Sequence, residues 1–160
     1  MLPALADFFF LPRIPPRLRP LAWGWIGLVT LCGVIWFGLF FDWGRDAPLF
    51  HDWADVNVPR LTFLRSAVQN GKFPLHISDP SAMHGSIVRY LTIPDTIIAP
   101  QLILLGRFSP LRFNFINVVL LYLAGMAGLL ALRKRLRLSL FAFTAAALLF
   151  NFNGNILAHY

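Results

Sequence analysis

The sequence predicts an all-α membrane protein with about three transmembrane helices and an extracytoplasmic loop that carries short interfacial helices. Three observations predict it. The chain is 58% hydrophobic and only 13% charged, with a mean hydropathy of +0.65, which lies beyond the composition of an ordinary soluble domain. Its apolar residues fall into long runs, at 21–41, at 113–132 and again from 138 onward. Its basic residues flank those runs: Arg13, Arg17 and Arg19 precede the first, and Arg133, Lys134, Arg135 and Arg137 separate the last two. The net charge of +7 would also suit a nucleic-acid partner. No basic face with interleaved aromatics lies outside the flanks, so membrane lipid is the expected partner and nucleic acid is not.

Residues 1–20 contain five prolines, which break any long helix, and end in three arginines. They read as a cytoplasmic leader whose Phe8-Phe9-Phe10 touches the membrane surface. Residues 21–41 carry no charge over about the length needed to cross a bilayer core, and form the first transmembrane helix. The run is too long for the apolar region of a signal peptide and no small-residue cleavage site follows it, so an uncleaved anchor is expected. Cys32, the single cysteine, sits inside this run as a small hydrophobe.

Residues 42–112 form the expected extracytoplasmic loop, opened by Trp43 and Trp53 at the positions of interfacial aromatics. Within it, Leu61, Leu64 and Val68 recur at helical spacing, Pro59 suits a first turn and Gly71 suits the residue past a helix end. The spacing predicts an amphipathic helix over 58–70, with Arg60 and Arg65 reaching back to water. Thr92-Ile93-Pro94-Asp95 has the form of a capping signal before a short apolar stretch, 96–105, interrupted by Pro100. If that stretch crossed the membrane, the 133–137 cluster would fall outside. An interfacial or re-entrant segment keeps both basic clusters in the cytoplasm, and is preferred.

Residues 113–132 form the second span, in which Gly125-Met126-Ala127-Gly128 supplies small residues for close packing. Residues 133–137 are the cytoplasmic basic turn, and 138–160 a third span with a polar outer end, NFNGNILAHY. The N-terminus is thus expected in the cytoplasm. The polar end stops without a basic flank, so further transmembrane helices of the same protein are expected.

Any chemical site is expected in the polar stretch 51–95 of the loop, which holds four of the chain's seven acids, Asp52, Asp55, Asp79 and Asp95. A helical turn would put His51 and Asp55 on one side, with Asp52 and Asp55 also neighbours. A carboxylate there can deprotonate an acceptor hydroxyl, or hold a hard divalent cation such as Mg or Mn beside a phosphate leaving group. The same residues also suit a solvated loop or a helix cap. His76 and His84 flank Asp79 in what reads as a polar turn, and Arg89 with Tyr90 suits either a phosphate contact or an interfacial anchor. His159 closes the polar end of the last span, where it faces a cavity or marks the helix leaving lipid.

Asp52, Pro59, Gly71-Lys72-Phe73-Pro74-Leu75, Gly85, Tyr90 and Pro94 or Pro100, followed by LAGMAGLLALRKRLRLS and LLFNFNGNILAH, resemble the start of the GT-C superfamily of integral-membrane glycosyltransferases. The likeness is closest to its YfhO-like and mannosyltransferase-like groups, and runs from Leu21 onward on degenerate motifs. It departs at His76, where the pattern often has tryptophan after Pro-Leu. The resemblance implies a bacterial-type plasma membrane, a sugar donor on a polyprenyl phosphate, and transfer on the outer face. It assigns Asp52 as the functional loop aspartate, with Asp55 second; Arg89, Tyr90 and His159, by their positions in the sequence, are the expected substrate contacts, with Arg89 near the donor phosphate. The chain would then be the N-terminal part of a larger transferase, since it holds few of the helices that build a donor cavity. The competing expectation is a non-catalytic scaffold or assembly subunit whose Gly125 and Gly128 pack against a partner. A transport role ranks behind both, because no charge lies within the spans.

Overall fold

The computed structural model describes residues 2–45, 58–71 and 100–151. All regular structure among them is helical: α1 (Leu2–Phe10), α2 (Arg19–Phe40), α3 (Val58–Gln69), α4 (Leu102–Leu105), α5 (Pro110–Leu136) and α6 (Leu140–Asn151). The chain divides into two units, one made of residues 1–37 with 118–160, the other of 38–117.

The first unit is a helical bundle. On α2, Ala22, Ile26, Gly33 and Phe37 are buried, a spacing that puts them on one stripe. The remaining faces are just as apolar but exposed, with Trp23, Leu28, Leu31 and Ile35 turned outward. α5 meets the stripe through Tyr122, whose ring lies over Gly33 where an added Cβ would collide with it. The Tyr122 hydroxyl donates to the Val29 carbonyl at 3.3 Å, and its ring sits 5.4 Å from that of Phe37. α6 completes the bundle: Trp25 Nε1 donates to Thr144 Oγ1 at 3.0 Å, and Asn151 lies 3.9 Å from Met126 Sδ. These pairings make α5 antiparallel to both α2 and α6. Of the Phe8-Phe9-Phe10 triplet, Phe8 is buried, Phe9 packs edge-on against Trp25, and Phe10 stays largely exposed while its ring lies beside that of Phe141.

Two helices are long and apolar enough to cross a membrane, α2 with its preceding turn and α5. With 22 and 27 residues they extend about 33 and 40 Å, against about 30 Å of hydrocarbon. The apolar core helix of a soluble protein is mostly buried, whereas only 22% of the first apolar window and 11% of the second is buried here. Apolar surface on this scale belongs against lipid or other helices rather than water. The stretch expected to be a third span is described through α6, whose twelve residues cover about 18 Å, too short on their own to cross. The rest of that stretch lies outside the described residues.

Local chemistry sets the ends of α5. Ser109 sits at the N-cap, its Oγ 3.4 Å from the Arg112 amide, with Pro110 in the first helical position. At the other end Arg137 takes a left-handed conformation (φ 54°), and the Leu138 amide donates to the Arg133 carbonyl at 3.1 Å, which closes a Schellman-type turn. Arg133, Lys134 and Arg135 fall in the last helical turn, favourably placed against the negative end of the helix dipole. They are helical, then, and the turn itself is confined to Arg137 and Leu138 before Ser139 caps α6 through the Ala142 amide at 3.2 Å.

In the second unit, α3 occupies the stretch read as an amphipathic helix. Its Leu64 is fully buried with Leu105 of α4 and Phe113 of α5, and Gln69 Nε2 donates to the Gly106 carbonyl at 3.1 Å. Arg60 and Arg65 are half-buried on the same helix.

Candidate functional site

Asp52, Asp55, Arg89, Tyr90 and His159, and with them His51, His76, Asp79, His84 and the Thr92 to Asp95 capping signal, lie outside the described residues. Among the described residues no group of three His, Cys, Asp or Glu side chains gathers that could hold a metal ion. The carboxylates that the sequence offers to a cation belong to the segments not described.

The start of the loop is described. Past Phe40 the chain enters a short 3-10 turn in which Asp42, Trp43 and Gly44 all take positive φ, at 43°, 55° and 71°. Two side-chain-bearing residues in this region are unusual, and the turn holds them by contact. Trp43 folds back onto Gly38, where an added Cβ would stand 2.6 Å from the indole, and its ring lies 6.0 Å from Phe115 of α5. Gly44 is required twice over, by its φ and because a Cβ there would meet the Arg112 backbone at 2.9 Å. Asp42 and Arg45 form an i,i+3 pair at 3.8 Å, with both side chains mostly exposed and hence weakly coupled. This turn fixes where the chain leaves α2 on its way toward Asp52 and Asp55.

The structure also shows polar groups to which sequence reasoning gave no role. Asn114 is buried on α5, and its Nδ2 and Asn117 Oδ1 have no hydrogen-bond partner among the described residues. The signal was present as two asparagines three apart within an otherwise apolar run, FNFIN, since buried amides in a spanning helix tend to serve a function.

A larger feature lies at the basic end of the bundle. An open cleft of about 750 Å³ is lined by Arg13 from the segment before α2, Arg19 from the first turn of α2, Arg133 and Lys134 from the last turn of α5, and Arg137 from the turn beyond. Trp23, Ile26, Leu130 and Leu138 form its apolar wall, and among the described residues no carboxylate contributes to the lining. The sequence presents these cations as two separate flanks 114 or more residues apart, Arg19 to Arg133; the antiparallel pairing of α2 and α5 makes them one surface.

Comparison with known proteins yields no match: no family model, no curated protein and no solved structure is similar to this chain.

Proposed function

We propose that this chain is the N-terminal part of a polyprenyl-phosphate-sugar-dependent glycosyltransferase of the bacterial-type plasma membrane, with its N-terminus and the 133–137 cluster in the cytoplasm. The orientation draws support from one observation above all. Arg13 and Arg19 line the same cleft as Arg133, Lys134 and Arg137, so both basic clusters occupy one end of the bundle, as charges retained on one side of a membrane would. The transferase reading rests on the loop residues that resemble the GT-C superfamily.

In that reading Asp52 takes the proton from an acceptor hydroxyl as its oxygen attacks the anomeric carbon of the donor sugar. The new glycosidic bond forms as the bond from that carbon to the phosphate oxygen breaks, and polyprenyl phosphate leaves. Asp55 assists the base, Arg89 steadies the charge developing on the phosphate, and Tyr90 and His159 contact substrate. A divalent cation, if one is bound, would supply further neutralisation of that charge.

The test is sugar transfer from a radiolabelled polyprenyl-phosphate sugar in membranes containing the full-length protein. Removing a general base or a charge-stabilising group typically costs about a hundredfold or more, so Asp52→Asn should lower turnover by at least that factor without lowering the amount of membrane-inserted protein. Unchanged transfer by the variant would remove Asp52 from the mechanism.

A specific observation favours a second reading, a membrane scaffold. Gly24 and Gly27 on α2 and Gly128 on α5 would each have open space around an added Cβ, so these small-residue surfaces are available to another helix. Gly125, by contrast, already faces Asn151 of α6. A scaffold would tolerate Asp52→Asn and lose its partner on Gly128→Leu.

A further inference from the structure

We propose that the basic cleft at the end of the bundle is a binding site for the phosphate group of an anionic membrane lipid, a role separate from sugar transfer and resting only on the membrane location of the chain. Five cations converge on it, with no acid among the described residues of the lining. Left empty, such a cluster is self-repelling, and an anion in its centre turns that repulsion into attraction. The Nε of Arg133 is buried and has no acceptor among the described residues, an unmet donor on a residue that lines the cleft. The apolar wall continues from the cations along α2 at Trp23 and Ile26 and along α5 at Leu130, the direction in which an acyl chain would follow a head group into the membrane. The cleft's volume, about 750 Å³, is within the range of small-molecule sites. Basic pockets between membrane helices on the cytoplasmic side are suited to phosphorylated head groups.

Arg137 distinguishes this arrangement from a mere topology signal. It occupies the left-handed position past the helix end, where glycine is the usual residue and a side chain is disfavoured. Positive charge that served only to hold the chain end in the cytoplasm could sit at any neighbouring position without that strain. Here the strained residue is one that lines the cleft. Arg17 and Arg135, by contrast, belong to the same two clusters but do not line it, which supplies an internal control.

The experiment is native mass spectrometry of the full chain in a neutral detergent, titrated with palmitoyl-oleoyl phosphatidylglycerol or with the corresponding phosphatidylcholine. The wild type should take up one phosphatidylglycerol in preference to phosphatidylcholine. Arg133→Gln, Lys134→Gln and Arg137→Gly should each weaken that uptake about fivefold, the effect of one basic residue near a charged head group. Arg135→Gln should leave it within twofold. Arg137→Gly relieves the backbone, so its thermal stability should hold or rise while lipid binding falls, a combination that misfolding would not give. Equal uptake of the two lipids, or equal losses in Arg135→Gln and Arg133→Gln, would overturn the site. Displacement of the lipid by millimolar inorganic phosphate would make free phosphate the ligand and overturn the lipid assignment. Extraction of the wild-type chain from membranes by alkaline carbonate is read separately: it would defeat the membrane location, and the lipid site with it. Retention in the membrane without lipid preference would defeat the lipid site alone.

Discussion

Gly33 and Tyr122 form a close approach between α2 and α5, and the energetics of that contact can be isolated. In a helix alanine is favoured over glycine by about 1 kcal/mol, so Gly33→Ala would stabilise an unencumbered helix. Here the added methyl runs into the Tyr122 ring, and overpacking of this kind costs about 1–3 kcal/mol. Gly33→Ala should therefore destabilise the wild type, and the sign should reverse in a Tyr122→Ala background, where the ring is gone. Thermal unfolding of the four proteins of this cycle measures the coupling. A Gly33→Ala effect identical in both backgrounds would mean that the ring does not press on the glycine. Sequence reading could not single out Gly33, since the glycines of an apolar run look alike until helix rotation decides which one faces a neighbour. The same limit explains Gly125 and Gly128. Both were legible as small residues for packing, yet one faces Asn151 within the chain and the other opens outward.

At the scale of elements, the apolar runs located the helices but not their ends. The span expected at 113–132 is helical from Pro110 to Leu136, because a helix continues as long as its backbone is capped, whatever the polarity of its side chains. Ser109-Pro110 at its start was a readable cap, and it yields a better boundary than hydropathy does. Arg137 at its end was not readable, since an arginine is an unexpected occupant of a left-handed cap. Ser139 then begins α6 by accepting from the Ala142 amide at 3.2 Å. Replacing such a cap by alanine costs about 1 kcal/mol, a factor of about five in local opening. Ser139→Ala should accordingly speed amide hydrogen exchange in the first turn of α6 about fivefold. Ser139→Asp should retain protection, because a carboxylate also caps and suits the positive end of the helix dipole. Equal exchange in the wild type and Ser139→Ala would show that the serine is not acting as the cap.

For the molecule as a whole, helical class and the two long apolar helices were legible because they depend on composition summed over some twenty residues, which local error does not disturb. The cleft was not, because its cations are brought together by tertiary pairing; sequence showed two charged flanks and only their shared side was inferable. The proposed crossing of the membrane by α5 has a direct consequence for chemical access. Cys32 is the single native cysteine, so Cys32→Ala gives a background into which one thiol can be introduced at a time. Ser66→Cys places it on the exposed side of α3, in the loop expected outside, and Leu136→Cys at the exposed last turn of α5, at the basic end. In intact cells a membrane-impermeant maleimide should label Ser66→Cys and spare Leu136→Cys, and permeabilisation should bring the second to the level of the first. A charged reagent does not pass some 30 Å of hydrocarbon, so protection of only one position requires that the chain between them cross the bilayer an odd number of times. Labelling of both in intact cells would remove the crossing between them, and labelling of Leu136→Cys alone would place the basic cleft outside and reverse the proposed orientation. Protection of both until permeabilisation would put the loop in the cytoplasm and remove Asp52 from the face on which the proposed transfer occurs.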